Sequence, residues 1–112
     1  MKCVLKNTGE ELAQEVESAN TFFSRLCGLM FRRSYPAQKV LLLDPCPQIH
    51  TCFMRFEIDV IFLDKANRVL AVVSCMKPWR ISRFYKGARR VLEFCGGSLQ
   101  NRVRVGEEII FK

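Results

Sequence analysis

The spacing of apolar and polar positions predicts a chain built mostly from short β-strands. Strand-like stretches cover residues 1–6, 10–17, 39–43, 49–54, 58–63, 68–76, 89–95 and 109–111, although 10–17 also fits a helix. The clearest is 58–63, with Ile58, Val60 and Phe62 on one face and Asp59, Ile61 and Leu63 on the other. The polar loop at 64–67 joins it to the strand at 68–76 as a β-hairpin.

Apart from 10–17, two stretches favour helical structure. Residues 18–21 supply N-cap side chains, and apolar residues recur at helical spacing from Phe22 to Met30, which predicts an amphipathic helix over 21–30. A helical turn fits 98–102. Many short strands with one or two short helices predict a mostly β (α+β) fold, a compact sandwich or barrel-like domain. We expect residues 1–112 to form a single domain.

Composition narrows the class of protein. Hydrophobic residues make up 49% of the 112 positions, enough for a core without metal or disulfide support. No apolar run approaches the roughly 20 residues that span a membrane. Residues 1–10 lack the apolar stretch of a secretion signal, and the cysteines mostly sit inside apolar runs. A reduced, cytoplasmic protein is therefore expected.

The only histidine, His50, lies close to two cysteines. The spacing of Cys46, His50 and Cys52 lacks the close cysteine pairs of common zinc sites, so no metal or cofactor is predicted. Two prolines stiffen the loop around Cys46, which makes that thiol the better candidate nucleophile if its pKa is low. The alternative for His50 is a hydrogen-bonded structural role.

Asp59 is the second chemical clue, because it shares a strand face with Ile61 and Leu63. A buried carboxylate needs hydrogen bonds, an ion pair or a cleft. One interpretation ties it to backbone amides or to an arginine such as Arg55 or Arg80. The other makes it a catalytic base, or a group that orients His50.

The net charge of +7 raises the question of an anionic partner. Residues 77–90 contain six Lys and Arg interleaved with Trp79, Phe84 and Tyr85, a mixture that suits nucleic acid. No aromatic RNA-binding motif or GxxG clamp accompanies them. A solvated basic loop is therefore the favoured interpretation, and nucleic acid binding stays possible without being favoured.

Several short motifs together resemble those of the DUF192 family, also called UPF0127, of uncharacterised bacterial and archaeal proteins. The resemblance spans about 21–111 and is carried by Arg25, 28–30, Cys46, 49–51, 53–55, 58–60, 62–64, 78–80, Ala88, 91–93, Gly97 and 105–107. It implies a compact, mostly β fold and brings no activity with it. Cys52 stands where the family often has an apolar residue, which favours packing over metal binding.

Three functions follow as hypotheses. The first is a binding or accessory module for a small ligand or a protein partner, whose site contains Arg25, His50, Met54, Asp59, Trp79 and Arg80. The second is a hydrolase or transferase in which Cys46 or His50 reacts and Asp59 orients. The third is a basic nucleic-acid-binding protein.

Overall fold

Two β-sheets stack on one another in the computed structural model, which describes all 112 residues. The fold is mostly β and sandwich-like, without a closed barrel, which confirms the predicted class. The strands are β1 Cys3–Leu5, β2 Glu11–Ala13, β3 Glu15–Ala19, β4 Lys39–Leu43, β5 Ile58–Leu63, β6 Val69–Met76, β7 Arg90–Cys95 and β8 Ile109–Phe111, and the helix is α1 Phe22–Cys27. The small sheet has the order β2-β1-β8, and the large sheet has the order β3-β4-β7-β5-β6 with β3 parallel to β4.

The large sheet is the middle layer of the molecule, because both of its faces are covered. Every residue of β5 is buried. Ile61 and Leu63 pack towards the small sheet, in one core cluster with Leu5 and Ile109. Val60 belongs to a second cluster on the opposite side, together with Ile58 and Phe62. The predicted assignment of the two faces of this strand is confirmed.

Mostly irregular chain, together with α1, covers the second face of the large sheet. We call residues 20–38, 45–56 and 77–89 the loop layer. Its buried side chains pack on the second cluster of the large sheet and include Leu29, Tyr35, Cys46, Ile49 and Met54. Backbone hydrogen bonds join its second and third segments: Thr51 N donates to Arg80 O over 2.8 Å, and Ser82 N donates to Ile49 O over 2.9 Å.

The strand predicted over 49–54 is wrong, because only His50 makes an isolated bridge, to Ile81. Side chains take over the hydrogen bonds that a strand ladder would use. The buried Thr51 hydroxyl donates to Lys77 O over 2.6 Å and accepts from Arg80 N over 2.9 Å. The chain then turns at Phe53, whose φ is +62°. Thr51 therefore does not belong to a strand, and its hydroxyl instead links the second and third segments of the loop layer.

The predicted helix exists but is shorter, Phe22–Cys27. Thr21 and Ser24 form a capping box at its start, and Gly28 ends it with φ +50°. Its apolar side chains face solvent: Phe22 is 76% exposed and Phe23 is 74% exposed. The stretch at 10–17 also differs from the expected single element, since it spans β2 and the start of β3. Residues 98–102 form turns without a helix.

Candidate functional site

Glu93 is the most unusual side chain of the large sheet. The alternation of β7 turns it towards the loop layer, between Leu41 of β4 and Val60 of β5. It is 1% exposed, and its Oε1 atom has no hydrogen-bond partner. Burial raises the pKa of Glu93 to about 8, although the positive charge of Arg32 opposes the rise. The group is therefore mostly a neutral carboxylic acid at neutral pH.

A pocket of about 290 Å³ lies in the loop layer and reaches Glu93. It is lined by residues from α1, from the segment after β4 and from β7, namely Phe22, Arg25, Leu26, Gly28, Pro45, Cys46, Gln48, Ile49, His50 and Glu93. Gly28 permits the close approach of the backbone to the carboxyl group, since a Cβ atom there would stand 3.1 Å from Glu93 Oε1. The pocket thus combines an acid, a cation and apolar walls.

Arg25 supplies the positive charge. Its Nη1 donates to the carbonyl oxygen of Asn20 over 2.7 Å and to that of Asp44 over 3.4 Å. These bonds hold the guanidinium in place without neutralising it, because both acceptors are backbone carbonyls. The other guanidinium nitrogens, Nε and Nη2, make no hydrogen bond within the protein. Arg25 is therefore positioned to bind an anionic group in the pocket.

His50 lines the pocket with both ring nitrogens already occupied. Cys52 N donates to Nδ1 over 3.1 Å, so Nε2 carries the hydrogen and donates to Leu26 O over 2.8 Å. The ring therefore connects α1 to the second segment of the loop layer. This is the structural alternative predicted for His50, and the ring has no free nitrogen to act as a base in this arrangement.

Cys46 is buried beside the same pocket, and its thiol donates to Gln48 O over 3.1 Å. Burial raises the pKa of the Cys46 thiol. A negative charge on Glu93 raises the pKa of Cys46 further. The group is a thiol at neutral pH. The low-pKa nucleophile considered for Cys46 is therefore opposed by its surroundings.

Asp59 lies outside this pocket, and its carboxylate makes no hydrogen bond to the His50 ring. Asp59 is 1% exposed. Its carboxylate accepts backbone hydrogen bonds from Cys75 N over 2.8 Å, Gly97 N over 3.1 Å and Leu99 N over 3.0 Å. The alternative in which Asp59 is tied to backbone amides is thus correct. Three amide donors compensate the burial of its charge.

The remaining candidates lie in the loop layer but do not line the pocket. Met54 is buried, and its Cε atom would lie 3.7 Å from a Cβ atom at Gly28. Trp79 is 58% exposed and packs edge-on against Phe53, with 4.6 Å between ring centroids. The Arg80 side chain is exposed and reaches only nearby carbonyl oxygens.

The structure therefore brings two of the six predicted ligand-binding residues, Arg25 and His50, to one pocket, together with Cys46. The sequence interpretation missed Glu93. The same sequence pattern that singled out Asp59 also marks Glu93. Glu93 interrupts the apolar run 91–94, as Asp59 interrupts the apolar run 58–63. The same cost of burying a carboxylate applies to both.

The structure contains neither a cluster of metal ligands nor a membrane-spanning helix. Nowhere do three His, Cys, Asp or Glu side chains come close enough to hold a metal ion together. The chain has no helix with the combined length and apolar character needed to cross a membrane.

Comparison with known proteins places this chain in a family. Residues 3–111 match the model of the family DUF192, described as uncharacterized ACR. A UPF0127 protein of Pyrococcus furiosus is 33% identical over 107 residues, covering 90% of each chain. A UPF0127 protein of Pyrococcus horikoshii is 39% identical over 84 residues, covering 70% of each chain. The chain belongs to the DUF192 family, which confirms the resemblance of its motifs.

A solved structure supports the fold. A Novosphingobium aromaticivorans protein of unknown function superimposes with a TM-score of 0.86 at 18% identity, covering 99% of this chain and 84% of that chain. At this identity the likeness concerns the fold alone.

Proposed function

We propose that this chain is a small-ligand-binding accessory module and that its ligand occupies the pocket above Glu93. One observation carries the proposal: a carboxyl group that is 1% exposed, with Oε1 unpartnered, borders an open pocket. An unpaired buried polar atom is costly, and a ligand that hydrogen-bonds to it would recover part of that cost.

The lining residues indicate the chemistry of the ligand. Neutral Glu93 would donate a hydrogen bond to an oxygen atom, and Arg25 would pair with a negative charge. Phe22, Leu26 and Ile49 offer apolar contact. A volume of about 290 Å³ lies near the lower limit of small-molecule sites. These features together favour a small monocarboxylate with a short apolar body.

Ligand-observed NMR with benzoate, 4-hydroxybenzoate and hexanoate tests the proposal. We expect saturation transfer from the protein to at least one of these acids at neutral pH. Arg25→Gln should weaken binding about tenfold or more, because it removes a charge-assisted hydrogen bond. Arg104→Gln is the matched control, since Arg104 is exposed on a turn that does not border the pocket.

The pH dependence identifies the role of Glu93. Binding of an anion should fall as pH rises through about 8, because ionised Glu93 would repel it. Glu93→Gln keeps the size and a hydrogen-bond donor but cannot ionise, so its binding should not change over that pH range. The proposal fails if no acid of the panel binds, or if Arg25→Gln and Arg104→Gln bind equally well.

An enzyme is the second candidate, favoured by one observation. An acid whose pKa lies near neutrality is suited to general acid catalysis when it reaches a pocket. In this version Glu93 takes the place of Cys46 or His50 as the reactive group. Turnover distinguishes an enzyme from a binding module. If the protein is an enzyme, the wild type should convert a bound ligand, and Glu93→Gln should bind that ligand without converting it.

A further inference from the structure

The loop layer exposes an unusual number of large apolar side chains. Their exposed fractions run from 49% for Phe53 to 76% for Phe22. The set comprises Phe22, Phe23, Leu26, Phe31, Phe53, Trp79, Ile81 and Phe84. Outside the loop layer only Met1 and Val105 are comparable. Apolar surface concentrated on one side of a small domain indicates an interaction surface.

Contacts show that these side chains come from neighbouring segments. Phe53 packs against Phe31 and Trp79, with ring centroids 5.4 Å and 4.6 Å away. The backbone supports this arrangement, since Phe31 N donates to Phe53 O over 3.1 Å. On the pocket side, His50 bonds to Leu26 O and forms the bridge to Ile81. All three segments of the loop layer therefore contribute to one apolar surface.

The charge of the protein is concentrated in the same layer. The loop layer contains nine of the 18 Lys and Arg residues and none of the 11 Asp and Glu residues, so its formal charge is +9. The rest of the chain has nine basic and 11 acidic residues, a net charge of −2. The two values give the total of +7. The basic character of this protein is thus a property of one face.

Most of these cations have no acidic partner. Arg32 pairs with Glu17, and Arg89 pairs with Asp44. No carboxylate lies within ion-pair distance of the other seven, which are Arg25, Arg33, Arg55, Lys77, Arg80, Arg83 and Lys86. The loop layer is both apolar and positively charged. It therefore complements a partner whose apolar interior lies behind a layer of negative charge.

We propose that the loop layer docks on the surface of an anionic lipid bilayer. The exposed aromatic and aliphatic side chains would enter the boundary between headgroups and acyl chains, and the Lys and Arg side chains would contact anionic headgroups. This surface goes beyond the ligand pocket and does not depend on it. It requires no membrane-spanning segment.

The side chains favour a bilayer over nucleic acid. Leu26 and Ile81 are 50% and 71% exposed, and aliphatic side chains do not stack on bases. The Phe53 ring is also partly engaged, because Phe31 packs against it with 37° between the ring planes. Bases require open, accessible ring faces. A bilayer accepts aliphatic and aromatic groups in any orientation.

The single tryptophan provides a direct measurement. Trp79 is the only Trp of the chain and lies in the proposed surface. Vesicles of phosphatidylcholine with phosphatidylserine, added to the full chain at low salt, should shift its emission to shorter wavelength and protect it from aqueous iodide. Pure phosphatidylcholine vesicles should bind far more weakly. Raising the salt concentration should weaken the electrostatic part of binding to the anionic vesicles.

Paired variants separate the charged and apolar contributions. Arg33→Ser with Arg55→Ser should lower partitioning about 25-fold, at about fivefold for each cation. Phe23→Ser with Ile81→Ser should lower it about tenfold. The matched controls are Arg68→Ser with Arg104→Ser for charge and Val105→Ser for apolar exposure, all exposed positions outside the loop layer. The controls should partition like the wild type.

Several results would overturn the proposal. One is equal partitioning of the loop-layer variants and their controls. Another is equal binding to neutral and anionic vesicles. A third is absence of vesicle binding. If a single-stranded oligonucleotide then quenches the emission of Trp79, the partner is nucleic acid. Each variant changes only exposed side chains, so circular dichroism should show wild-type folding for all of them.

Discussion

Gly28 and Glu93 approach each other so closely that a side chain at position 28 would touch the carboxyl group. A Cβ atom built on Gly28 would stand 3.1 Å from Glu93 Oε1. Gly28 also ends α1, with φ +50° and ψ −123°. Because Gly28 has no side chain, the end of α1 can lie directly against the buried carboxyl group of Glu93.

Gly28→Ala should destabilise the protein by about 3 kcal/mol, from backbone strain and from crowding of Glu93. Gly9→Ala is the matched control, because Gly9 has φ +73° but nothing within 4 Å of a Cβ atom. It should cost only about 1 kcal/mol. Urea unfolding measures both. Equal losses would contradict a specific contact between position 28 and Glu93.

Glu93 should make stability depend on pH between about 4.5 and about 8. In that range the unfolded chain releases the proton of Glu93 and the folded chain retains it. The free energy of unfolding should therefore fall as pH rises, by up to about 1.4 kcal/mol per pH unit, and level off above the folded pKa.

Glu93→Gln removes this dependence, so the difference between the two proteins should be measured by urea unfolding at several pH values. Glu17 does not interfere, because hydrogen bonding to Arg32 lowers the pKa of Glu17 and places its effect at acidic pH. Parallel pH profiles for the wild type and Glu93→Gln would show that Glu93 is already ionised in the folded protein.

Asp59→Ala should cost about 4 kcal/mol, since it leaves three backbone N–H groups without an acceptor in a buried site. Asp64→Ala is the control: Asp64 accepts from Ala66 N and Arg68 N in a partly exposed turn, and its loss should cost about 1 kcal/mol. Thermal unfolding compares them. A small loss for Asp59→Ala would revive a functional role for that carboxylate.

Cys46 should resist alkylation in the folded protein at neutral pH. Its thiol is buried and its pKa is raised, so both access and the thiolate fraction are low. The pKa of Cys75 is raised as well, so exposure decides the comparison. Peptide mass spectrometry after brief iodoacetamide treatment should find more modification at exposed Cys75 than at Cys46. Treatment in urea should modify all six cysteines. Rapid modification of native Cys46 would support the nucleophile hypothesis.

The sequence predicted those elements in which pattern and burial agree. The alternation within 58–63 identified both faces of β5, and Thr21 correctly marked the start of α1. Where the two disagreed, the prediction was wrong. The stretch 49–54 alternates like a strand, yet the side chains of His50 and Thr51 bind backbone groups of this and neighbouring segments. Local pattern does not reveal which distant segment will accept such a bond.

The sequence by itself thus determined a mostly β fold, the two faces of its central strand, and the need for Asp59 to be compensated if buried. Only the tertiary structure decided that backbone amides compensate Asp59, while Glu93 stays unpaired at a pocket that Arg25 also lines. It also gathered the cations of three separate segments on one face. The physical reason is that a carboxylate's environment and a face's charge depend on contacts between residues far apart in the chain, which short-range periodicity does not encode.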